Sequence, residues 1–131
     1  MDDAQVNIKA GLESVVMKVQ EESREELDLA KAMDDRETIF RMEAKLEALE
    51  TSMQIFEQTI GADSLDAFKA AFDERMALRK TGLEQAIVRA RAEQNSQELI
   101  YQQIHLSVSL GPVEGTVDAL YKRYKEETCQ A

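Results

Sequence analysis

A chain of 131 residues with 44% apolar and 32% charged residues is long enough for one domain with a core and too apolar for a disordered acidic tail. Its formal charge of -10 opposes direct contact with a nucleic-acid backbone or an anionic membrane surface. One proline, five glycines and no tryptophan, among abundant Glu, Ala, Leu, Gln and Lys, are what long helices select, and an all-α fold is expected.

The opening "MDDAQVNIKAG" is acidic where a secretory signal is basic, and no apolar run approaches the roughly 20 residues that span a bilayer. An intracellular, cytoplasmic protein without membrane insertion is the expectation. Cys129 is the single cysteine, so an internal disulfide is excluded and an incidental thiol is expected.

Ile8, Leu12, Val15 and Val19 recur at helical spacing, widened by Val6 and Val16, and predict a first helix over about 3–33. "QEESREE", residues 20–26, then carries no apolar side chain. Asp34 with Glu37 has the spacing of an N-cap and its N3 acid, which predicts a kink or break before a second helix over 35–60. In that helix Ile39, Met42, Leu46, Leu49, Met53, Phe56 and Ile60 step by three and four residues in turn, the pattern of a coiled-coil seam. Gly61 reads as a C-cap glycine free to take positive φ, and Asp63 or Ser64 as the next N-cap, so the tip is placed at 61–64.

The third helix, 64–94, carries Leu65, Phe68, Phe72, Met76, Leu83, Ile87 and Ala90, with Arg79 interrupting the stripe. Residues 1–60 hold 15 acids and 7 bases, whereas 61–110 hold 7 and 6, so charge complementarity is expected to set an antiparallel register. A polar gap at 91–98 contains Asn95 and Glu98, again with N-cap spacing, ahead of a helix over 96–110. Gly111 and Pro112 would end it, acting as a corner or hinge, and a last helix over 112–128 would fold back. The expected whole is a single elongated domain: an antiparallel helical hairpin (coiled coil) whose open end a short C-terminal helix closes into a three-helix bundle.

Catalytic and metal chemistry find little to stand on. His105 is the single histidine and Gln102, not a glutamate, precedes it by three, so a di-iron carboxylate site is excluded, and so is a four-ligand zinc site. Ser107 and Ser109 are near His105 in sequence but off its helix face, and no acid is placed to orient the ring. "GPVEGT" lacks the Lys and Ser/Thr of a phosphate loop. No catalytic, cofactor or metal residue is assigned, and no small-molecule substrate is expected.

The expected function is therefore non-enzymatic: a helical protein–protein interaction subunit, an adaptor or assembly component. A two-helix seam leaves one side open, so Phe40, Met53, Phe56, Ile60, Leu65, Phe68, Phe72 and Met76 are the residues expected to meet a protein partner or a second copy in a homo-dimer or higher oligomer. The alternatives are a holding or export-type chaperone for a helical client and an acidic regulator that mimics nucleic acid. The methionines Met17, Met33, Met42, Met53 and Met76 are read as core packing rather than as an adaptable binding surface.

Overall fold

In the computed structural model the chain is all-α, and its backbone is described for residues 1–130 and its side chains for residues 1–127. The helices are α1 (Asp3–Ala32), α2 (Arg36–Ile60), α3 (Leu65–Ala92), α4 (Ser96–Val108) and α5 (Thr116–Gln130), with a π-helical segment (Ser109–Gly115) joining the last two. The side chain of Cys129 lies outside the described residues.

The breaks before α2 and α4 are full reversals rather than kinks. Each is built the same way. Asp34 (φ 53°) and Gln94 (φ 56°) take the left-handed conformation. The amides of Asp35 and Asn95 then reach back to the carbonyls of Ala30 and Ala90, both at 2.9 Å, while those of Asp34 and Gln94 reach Lys31 and Arg91. This is the Schellman arrangement, and it satisfies carbonyls that a helix end otherwise leaves open. The following side chain caps the next helix: Asp35 accepts from the Thr38 amide and Asn95 from the Glu98 amide. The expected cap Asp34 is therefore the left-handed residue, and Asp35 is the cap.

Two reversals convert the expected long hairpin into four rods, the fourth being α4, the π segment and α5 in continuity. α1 packs along α2, α3 along α4, and α2 lies beside α4, while α5 closes on α1 and α2 on α3. Contacts such as Ser52 with Ser109 and Phe40 with Tyr101 make α2 parallel to the fourth rod. Lys69 to Asp118 and Arg79 to His105 make α3 antiparallel to it. The result is an up-down-up-down bundle with α2 and the fourth rod central and α1 and α3 on opposite flanks.

The two flanking helices are repeats of each other. The buried positions of α1, namely Gln5, Ile8, Leu12, Val16, Ser23, Leu27 and Ala30, each stand sixty residues before a buried position of α3: Leu65, Phe68, Phe72, Met76, Leu83, Ile87 and Ala90. The caps Asp35 and Asn95 keep the same offset. The main core lies toward the 61–64 tip. There Phe56 meets Phe68 and Phe72 edge to face at centroid distances of 5.6 and 6.1 Å, and Ile8, Leu12, Leu49, Val113 and Val117 complete the packing.

Gly61 (φ −82°) does not use positive φ. The end of α2 is held by Gln5 instead, whose fully buried side chain donates to the carbonyls of Ile60 and Ala62, both at 2.8 Å, and accepts from the Asp2 amide. One side chain thus completes the capping box of α1 and closes the tip. Elsewhere Gly11 lets Leu120 of α5 sit where its Cβ would be, so α5 docks closely on α1.

The expected corner at Gly111 and Pro112 is also corrected. Residues 109–115 stay helical, and Val108 and Thr116 on either side are right-handed (φ −66° and −68°). In an α-helix the Pro112 ring would strike the carbonyl four residues earlier, and the wider π turn relieves that contact. The buried stripe records the insertion, because Val108 to Val113 is a step of five and Val113 to Val117 a step of four. The last helix continues along α3, where Asp66 accepts from Tyr121 (2.7 Å) and Lys125 (2.8 Å).

Replacing the left-handed residues by glycine tests the reversals. Gln94→Gly is expected to stabilise the chain by about 1 kcal/mol in urea unfolding. Asp34→Gly should gain less, because a short acidic side chain tolerates that conformation better than glutamine.

Candidate functional site

The fullest constellation of polar side chains is buried between α2, α3 and α4. Arg79 supplies its centre: Nη2 donates to Nδ1 of His105 (2.8 Å) and Nε to Oγ of Ser109 (3.1 Å). Ser109 in turn lies 3.1 Å from Oγ of Ser52. The His105 ring packs 4.4 Å from that of Tyr101, whose hydroxyl donates to Glu47 (2.6 Å). Helix periodicity explains the assembly, since Tyr101, His105 and Ser109 follow one another at four-residue spacing along one face.

Electrostatics fix the protonation. Burial, and then the Arg79 guanidinium, hold His105 below the ordinary histidine value, so the ring is neutral at neutral pH. Because Arg79 only donates, Nδ1 must be the acceptor and Nε2 carries the proton. That N–H is buried without a partner among the described residues. Burial also lowers Arg79, and the hydrogen bond to Glu47 pushes Tyr101 up to about 12. Nothing here forms a nucleophile and base. Nδ1 is occupied by Arg79, Ser109 is bonded through Arg79 rather than to the ring, and Ser107 is exposed in a groove between α2 and α4 beside Arg41, Lys45, Ile100 and Ile104. Among the described residues no cluster of three His, Cys, Asp or Glu side chains is placed to hold a metal, and no helix is long and apolar enough to cross a membrane.

The repeat shows what the polar seam replaces. Sixty residues earlier, Arg79, His105 and Ser109 correspond to Val19, Lys45 and Leu49. The trio Arg79, His105 and Ser109 is found in the second half alone.

Most of the residues expected to form an interface are buried within the chain. Phe56, Phe68 and Phe72 are wholly buried, and Ile60, Leu65 and Met76 join them in the core. α1 and the fourth rod cover the side of the seam that a two-helix hairpin would leave open. Met53 is half-buried and lines an open groove between α1 and α2 with Met17 and Val16. Phe40 is half-buried, with its ring 6.5 Å from that of Tyr101. Met17 and Met33, read as core, are exposed.

Apolar side chains are exposed on both flanking helices, as Val6, Val15, Met17 and Leu29 of α1 and as Leu78 and Val88 on the outward face of α3. Leu78 is 69% and Val88 65% exposed. With Thr81, Gln85 and Ala92 they step by three and four residues along the side opposite the α3 core stripe. Gly82 lies beside them, exposed, with nothing within 4 Å of where its Cβ would be. In comparisons with protein-family models, curated proteins and solved structures, nothing matched this chain.

The lowered His105 value has a signed consequence. As pH falls through 6.5 the unfolded chain takes up a proton that the folded chain refuses, so stability held above 6.5 declines below it until the folded histidine titrates. Urea midpoints at pH 7.5 and 5.5 should show this loss, and His105→Leu should flatten it. Ser109→Ala, which takes an acceptor from half-buried Arg79, is expected to cost about 1 kcal/mol in the same assay at pH 7.5.

Proposed function

We propose that the chain is a non-enzymatic helical interaction module, an adaptor or assembly component, that receives a partner helix along the outward face of α3. The observation that carries this reading is the contrast between the two flanking helices. Where α1 exposes Lys18, Glu21, Glu25 and Asp28, α3 exposes Leu78, Thr81, Gln85 and Val88 at the equivalent positions. The repeated architecture asks nothing different of the two faces, so the apolar substitutions on α3 serve no packing within the chain.

Gly82 supports the same reading. A glycine inside a helix costs roughly 1 kcal/mol relative to alanine, and no close approach within the chain offsets it. A helix laid over Gly82 would use the missing Cβ to come near the α3 backbone. The surroundings favour an acidic partner, because residues 80–91 hold three exposed bases, Lys80, Arg89 and Arg91, against the single acid Glu84.

Two measurements check the proposal. Gly82→Ala should raise stability by about 0.5 to 1 kcal/mol in urea while weakening partner binding, a conflict expected only where the glycine serves something outside the chain. In fluorescence anisotropy a labelled acidic amphipathic helical peptide should bind the wild type and fail to bind Leu78→Glu/Val88→Glu at unchanged melting temperature. Indistinguishable titrations of the two proteins would overturn the reading.

A further inference from the structure

We propose that the helix received by α3 is α1 of a second copy of this chain, so that copies associate flank to flank. The inference rests on the α3 docking face argued above and names its occupant.

Four observations converge on α1. Its outward face presents Glu21, Glu22, Glu25 and Asp28, all exposed, to match Arg89 and Arg91 of α3. None of these six side chains has a hydrogen bond or ion pair among the described residues. The face is also not purely acidic, since Leu29 is 61% exposed within it and supplies an apolar side chain to set between Leu78 and Val88. Finally, α1 and α3 are the flanking helices of one repeated architecture, so straight helices of matching length, 30 and 28 residues, meet along their sides. Opposite charges flanking an apolar strip set both partner and register in helix pairs.

The geometry also dictates the kind of assembly. α1 and α3 lie on opposite flanks of the central pair, so a copy that receives α1 on its α3 still has its own α1 free. The contact is heterologous and repeats head to tail, giving a chain or a closed ring instead of a symmetric dimer. The contact sets the acids of α1 against Arg89 and Arg91, so salt that screens these opposite charges should weaken association.

The experiment is sedimentation of the full chain over a concentration series at low and high ionic strength. The wild type should form species beyond a dimer at low salt and weaken at least tenfold at high salt. Leu78→Glu/Val88→Glu, and independently Glu21→Lys/Glu25→Lys/Asp28→Lys, should each abolish self-association without changing the melting temperature. Mixed together, the two variants should form a one-to-one heterodimer that grows no further, because one retains an intact α1 face and the other an intact α3 face.

A wild type that stays monomeric at low salt overturns the inference. So does a dimer that is lost with the α3 changes and untouched by those on α1, which would mean α3 pairs with α3. In either case binding of the acidic peptide, lost in Leu78→Glu/Val88→Glu, leaves the docking face standing with a different occupant. Failure of both sedimentation and peptide binding removes the docking face itself.

Discussion

Two non-glycine residues in the left-handed conformation, Asp34 and Gln94, decide what this chain becomes. Without the reversals they permit, residues 3–60 and 65–130 would be two long arms sharing one seam, with apolar side chains left to solvent on the open side. With them each arm doubles back, and the side of α2 that a hairpin leaves bare is covered by α1 and by the fourth rod. An L-residue with a Cβ pays a steric cost of about 1 to 2 kcal/mol there. The cost is met because each reversal closes two backbone hydrogen bonds, positions a capping side chain and brings a whole helix face onto the core.

The helices themselves were legible, because periodicity and caps are local signals. Asn95 and Ser64 cap where the spacing put them, and of the heptad seam Leu49, Phe56 and Ile60 are buried while Ile39, Met42, Leu46 and Met53 are half-buried. What local signals did not carry was how many sides of α2 are covered. A second stripe, Ala44, Ala48 and Ser52, runs beside the heptad at four-residue spacing and is fully buried, with Ser52 reaching Ser109 of the fourth rod. Small residues in a row mark a face where another backbone comes close, and two stripes on one helix mark a central rod rather than an arm of a hairpin. The sixty-residue offset between the caps Asp35 and Asn95 was likewise present in the letters. It becomes visible only when the two breaks are compared with each other instead of being read singly.

Glycine and proline misled for a physical reason. Gly61 and Gly111 offer conformational freedom that the chain does not use, since no glycine takes positive φ and the left-handed sites fall to Asp34 and Gln94. Pro112 disfavours an α-helix without forbidding a helix, because widening one turn to the π form removes its clash and keeps the rod continuous. The price is one inserted residue, which rotates the α5 stripe so that Val113 and Val117, rather than residues in strict α-register with Val108, face the core.

Repetition creates a problem that the buried polar seam addresses. Two hairpins with matching buried positions could each accept the other's flanking helix, and apolar side chains alone discriminate weakly between such pairings. Arg79 breaks the equivalence. Its guanidinium finds His105 and Ser109 only in the second half, and set against Lys45 and Leu49 of the first it would meet a like charge and an apolar side chain. An unpartnered Nε2–H on His105 is then the penalty for specificity, not a reserve of chemistry. The same logic runs outward. The exposed faces of α1 and α3 take no part in that discrimination, so a difference between them is free of constraint from the fold. That is where a bundle of this kind can carry recognition, and the acids of α1 and the apolar strip of α3 are such a difference.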